Sequence, residues 1–94
     1  MSMVRVLTWE LRLPGCRSLK EKRTVVRSLI DRLRHGFNIS VAETAHQDVH
    51  DRAEVTAVFV TSDGRLADSL ADRIDRFVAD RGGAVVTRAE HERL

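Results

Sequence analysis

Residues 3–21 read MVRVLTWELRLPGCRSLKE. From Met3 to Leu13 the residues alternate. Leu7, Trp9, Leu11 and Leu13 share one face; Val6, Thr8, Glu10 and Arg12 share the other. Period two over this length predicts a β-strand with one dry face. Pro14-Gly15 stops it, because proline cannot donate to a ladder and the pair favours a turn. Ser18-Leu19-Lys20-Glu21 then matches a capping box, with Ser18 accepting from the third helical N–H and Glu21 reaching back.

Working outward, a helix follows to about His35-Gly36, with Gly36 as its C′ residue. Leu19, Val26, Leu29, Ile30 and Leu33 fall on one stripe at about 100° per residue. A second strand reads from Phe37 to about Thr44 and a third over about 53–61. The third is apolar on both faces towards its end, the pattern of a central strand covered on both sides. Ser62-Asp63-Gly64 offers a cap for a second helix over about 65–80, whose dry stripe is Leu66, Leu70, Ile74, Phe77 and Val78. Gly82-Gly83 ends it and a last strand runs from Ala84 to about Glu90. The order βαββαβ predicts a single ferredoxin-like α+β domain: a four-stranded antiparallel sheet with two helices on one face. The bare face then carries Val6, Thr8, Glu10 and Arg12, with Thr56, Val58 and Val60 from the third strand.

Length and composition exclude whole classes. Ninety-four residues make one domain with one modest core. No apolar run reaches the ~18–20 residues of a membrane span. Met1-Ser2-Met3-Val4-Arg5 lacks the apolar stretch of a signal peptide. A lone cysteine, Cys16, precludes an internal disulfide and fits a reducing cytosol. The net charge is only +2, but it is uneven. Residues 17–34 hold seven basic side chains and two acidic ones, a net of +5, which leaves −3 for the rest. Fourteen of the sixteen basic residues are arginine, so any one Arg says little by itself.

Four of the seven align on one flank of the helix. Measured around the axis from Lys20, Arg23 lies at about −60°, Arg27 at about −20° and Arg34 at about −40°. With Arg17 in the preceding loop, this stripe suits a phosphate backbone; the competing reading is a solvated helix face. Lys22 falls at about −160° from Lys20, among core positions, which predicts a stem that snorkels along the sheet edge. Base stacking on the sheet is disfavoured: tyrosine is absent and Trp9 belongs to the helix-facing set. The valines of the bare face suit a homodimer through a sheet face or edge; the competing reading is a half-wet sheet with scattered valines.

An enzymatic alternative is a small-anion or acyl-phosphate site. The loop Pro14-Gly15-Cys16-Arg17-Ser18 joins a strand to a helix N-terminus, as in acylphosphatases, and Asn38 opens the second strand. The acylphosphatase glycine-valine motif with its catalytic arginine is missing. Cys16 beside Arg17 and a helix N-terminus has the setting of a lowered thiol pKa, though a small buried residue is the better reading. His46, Asp48 and His50 alternate, with Asp51 following; a polar hairpin loop suits them better than a metal site. No cofactor motif is present.

The runs Val6–Leu11, Pro14–Arg23, Ser28–Arg34, Phe37–Glu43 and His46-Gln47-Asp48 together resemble the YlxP-like family of small bacterial proteins. The resemblance covers nearly the whole chain and is densest over residues 4–60. It implies a ferredoxin-like fold, no established activity and no catalytic residues to carry over. Genes of this family often lie beside those for translation initiation factor two and ribosome-binding factor A, which implies association with RNA or the ribosome. The expectation is therefore a non-enzymatic cytoplasmic accessory protein that uses Arg17, Lys20, Arg23, Arg27 and Arg34 on RNA. His46, Gln47 and Asp48 form a second candidate, either tying their loop to the first helix or meeting a partner.

Overall fold

The alternation that opens the chain is explained by what lies on either side of it. The structure, a computed structural model, describes every residue from Met1 to Leu94. Strand β1 (Met3–Arg12) leads to helix α1 (Leu19–Gly36), strands β2 (Ser40–Ala45) and β3 (Arg52–Thr61), helix α2 (Gly64–Ala79) and strand β4 (Val85–Arg93). The sheet is antiparallel throughout, in the order β2-β3-β1-β4. This is the ferredoxin-like α+β fold that the element order predicts.

Register puts like beside like. Leu7 faces Ala57, Trp9 faces Val55 and Leu11 faces Ala53, all buried. The alternate positions pair Val4 with Val60, Val6 with Val58 and Thr8 with Thr56 on the bare face. Burying a side chain such as Leu7 or Leu11 contributes roughly 1.5–3 kcal/mol. β3 is central in the sheet, yet only one of its faces is covered: Val58 is 36% exposed and Val60 65%. The doubly apolar end of that strand therefore marks a bare valine patch, not a second covering layer.

Two boundaries around residue 37 differ from expectation. β2 starts at Ser40 rather than Phe37, because Phe37 closes α1 by donating its N–H to Leu33. Gly36 stays inside the helix, and the one glycine at positive φ is Gly83. Asn38 accordingly lies ahead of β2 and does not open it. The dry stripe of α2 is also rotated. Its buried residues are Ala67, Ala71, Ile74 and Val78, while Leu66 is 52% exposed. Small residues let this helix lie close to the sheet, and its larger apolar side chains spread to the flanks.

Candidate functional site

α1 begins as its sequence predicts, with one change of partner. Ser18 Oγ accepts from the Glu21 N–H at 3.1 Å. Glu21 Oε2 reaches back past the cap to the Arg17 N–H at 2.7 Å. Cys16 donates its backbone N–H to Leu13. The N–H groups of Cys16, Arg17 and Glu21 are thus already engaged within the chain. The Cys16 thiol is buried, and its pKa is raised: desolvation contributes most, the Glu21 charge adds to it, and Lys22 opposes both. Cys16 is thus the small buried residue that the sequence favours, and its thiol pKa is raised rather than lowered.

The expected basic stripe stands on the solvent side of α1. Arg17, Lys20, Arg23, Arg27 and Arg34 are all exposed. Arg23, Arg27 and Arg34, with the acidic Asp31 and Glu43, line one groove of about 340 Å³ between α1 and the edge strand β2, floored by Val26, Ile30 and Ala42. Arg34 Nη2 also donates to the Val41 carbonyl at 3.0 Å, which fixes its guanidinium beside that strand. Lys20 and Arg17 lie outside the groove lining. The ion pairs of the molecule all lie elsewhere: none involves any of these five cations.

Lys22 behaves differently from its neighbours. It is 1% exposed, so its ammonium does not snorkel into water as its helical angle suggests. Nζ lies 2.8 Å from Glu43 Oε2 of β2 and also donates to the His46 carbonyl. A buried ammonium is tolerated only with such partners, because desolvation would otherwise force it neutral.

That contact gives His46-Gln47-Asp48 a geometry the sequence did not supply. His46 holds a positive φ of 64°, a conformation uncommon for a residue with a side chain. The turn aims its carbonyl at Lys22 Nζ and at the Val49 N–H. Its ring Nε2 lies 3.1 Å from Glu10 Oε2. Gln47 Nε2 makes a long contact of 3.5 Å to the Glu43 carbonyl, and Asp48 is exposed. The loop is tied to α1, then, but through a backbone carbonyl. No group of three or more His, Cys, Asp or Glu side chains is clustered to hold a metal ion.

On the other half of the sheet, α2 supplies anions to groups that sequence reading did not single out. Arg5 is buried and donates to Asp68 Oδ1 at 2.8 Å. Trp9 Nε1 donates to Asp75 Oδ1 at 2.8 Å, and the second oxygen of Asp75 lies 2.6 Å from His91 Nε2. The Arg5 hydrogen bond holds the Asp68 carboxyl below the usual carboxylate range, slight desolvation opposes it, and the charges of Arg5 and Arg93 reinforce it. The signal for these pairs was an Asp at i and i+7 on one helix flank, but the partner identities depend on strand register. No helix is long and apolar enough to cross a membrane.

Comparison with known proteins finds relatives of this chain. The chain is 31% identical over 61 residues to the Uncharacterized protein YlxP of Bacillus subtilis (strain 168), an alignment spanning 65% of this chain and 66% of that relative. Residues 4–91 match the family described as Protein of unknown function (DUF503), and over so much of its length the match makes this chain a member of that family.

Proposed function

We propose that the protein is a non-enzymatic RNA-binding accessory factor whose α1 stripe tracks a phosphate backbone without reading base sequence. The observation that carries this reading is the set of exposed cations Arg17, Lys20, Arg23, Arg27 and Arg34, none of them neutralised by an ion pair within the molecule. Solvated surface charges normally mix signs along a helix. Here five exposed basic residues of α1 stand against two acidic ones. Arg23, Arg27 and Arg34 lie on the flank nearest β2, a row suited to tracking a phosphate backbone. The absence of aromatic rings from this stripe and from the bare sheet face points to structured RNA rather than splayed single strands. The choice of RNA as the polyanion rests on the neighbourhood that the family resemblance implies.

Fluorescence anisotropy with an RNA hairpin, together with ribosome co-sedimentation, tests the reading. Each phosphate contact adds roughly 0.7–0.9 to the slope of log K on log salt, so four contacts give a slope of about −3. Reversing Arg23→Glu and Arg27→Glu together should remove binding at moderate salt. Salt-independent association, or equal binding by the reversed variant, sinks the idea. A DNA duplex of the same sequence serves as the comparison polyanion.

A second reading has its own observation. Val58 and Val60 are exposed beside Val4 and Val6 on a face that no helix covers. A homodimer packed through this face would bury them. Light scattering at high micromolar concentration decides it: a monomer mass ends the reading.

A further inference from the structure

Of the seven basic residues in the segment 17–34, the stripe absorbs five and the core takes Lys22. Arg32 is left over. At about +120° relative to Lys20 it lies on the opposite flank of α1, facing α2. We infer that the cleft between the two helices is a binding site for a small organic oxyanion, a phosphate or carboxylate group carried on an apolar body.

The cleft exists because the helices lean on different strands, α1 on β2 and α2 on β1, β3 and β4. It encloses about 510 Å³, within the range of small-molecule sites. Val25, Leu29 and Ala84 supply its apolar surface, and Arg32 and Arg81 bring two guanidinium groups from opposite walls. Asp80 is the one acidic lining residue, so the lining carries a net positive charge.

Arg81 is held in place before any ligand arrives. Its guanidinium carbon lies 4.1 Å from the centroid of the Phe77 ring. That ring is itself braced edge-to-face by Phe37, at 5.6 Å and 87°. A guanidinium stacked on a fixed ring keeps its in-plane N–H fork available and loses little rotamer freedom on binding. Arg81 Nε is sealed from water and has no acceptor. Unpaired buried donors are costly and call for a partner. An oxyanion meeting the guanidinium edge-on, through Nε and the adjacent Nη, supplies one once the guanidinium turns within its own plane over Phe77 to bring Nε to the cleft. Arg32 then meets the remaining charge, and the apolar body of the ligand covers Val25 and Leu29. The site faces away from the stripe, so it stands or falls independently of RNA binding.

NMR titration of the isotopically labelled protein with phenyl phosphate, benzoate and inorganic phosphate, each alone, tests this. Saturable shifts are expected at the amides of Ser28, Arg32, Arg81 and Gly82 and at the Arg81 Nε–H. Phenyl phosphate should bind about tenfold more tightly than inorganic phosphate, because only it uses the apolar floor. Arg32→Gln and Arg81→Gln should each weaken it about tenfold, and Arg23→Gln should leave it unchanged. Arg32 is exposed on a helix, so its variant keeps the fold and preserves the test if the Arg81 variant is unstable. Benzoate binding as well as phenyl phosphate identifies a carboxylate site; binding of phenyl phosphate alone identifies a phosphoryl site. The absence of saturation by about 10 mM in all three arms overturns the proposal. So do shifts centred on residues 20–27, or binding that survives loss of Arg32.

Discussion

α1 and α2 sit on the same face of the same sheet, yet they meet it with opposite charges. α1 sends a cation inward: Lys22 pairs with Glu43 of β2. α2 sends anions inward: Asp68 pairs with Arg5, and Asp75 holds Trp9 and His91. With these inward groups set aside, α1 keeps five basic and two acidic residues, whereas α2 keeps three basic and one acidic. The acids of α2 are largely consumed in seating the helix, while most of the cations of α1 are free for something outside the molecule. Two helices with the same structural job thus leave different surfaces, and α1 carries the larger excess of cations, four of them aligned on one flank.

The comparison breaks most sharply at the buried pair. Lys22→Met strands the Glu43 carboxylate and the His46 carbonyl, and should cost about 3 kcal/mol in urea unfolding. Lys22→Met with Glu43→Leu should recover most of that loss; a double variant as unstable as the single one would show that the pair is not what seats α1. The close seating of α2 makes the next test. Ala67→Leu should cost about 1–3 kcal/mol by overpacking, while Leu66→Gln stays within about 0.5 kcal/mol. The reverse ranking would restore the stripe expected from sequence. Trp9→Phe removes the donor to Asp75 and part of a packed ring, for about 1–2 kcal/mol in the same assay.

Surface effects are smaller. Arg23→Glu and Arg27→Glu should each change stability by no more than about 0.5 kcal/mol, so any loss of RNA binding reports recognition rather than folding. Asp68 gives the finest test. Its folded pKa lies below its unfolded value, so its contribution is complete above the ordinary carboxylate range. It fades as pH falls through the lower folded value. Asp68→Asn should flatten that part of the acid limb of a stability–pH curve, and an unchanged limb would mean the Arg5 contact contributes nothing in solution.

The most legible parts were those governed by local periodicity. Alternation along β1 placed Leu7, Trp9 and Leu11 on the dry face, and Ser18 and Asp63 marked both helix starts. The Lys20, Arg23, Arg27 and Arg34 alignment was equally legible, because helical angle alone brings them together. Two readings differ from the structure, each for a reason that local periodicity does not contain. The dry stripe of α2 was assigned by hydrophobicity, yet the closest approach to a sheet selects small side chains, so Ala67 and Ala71 displaced Leu66. Lys22 was expected to reach water because its partners, Glu43 and a carbonyl in the following loop, are more than twenty residues away.

By itself the sequence determined the element order, the face of each strand that turns inward and the polarised charge of the first helix. These follow from nearest-neighbour geometry: period two, about 3.6 residues per turn, and caps satisfied within four residues. Only the tertiary structure decided which of the charges remain free. A charge is spent or available according to what stands across from it, and that depends on strand register, on the left-handed turn at His46 and on the gap between two helices that lean on different strands.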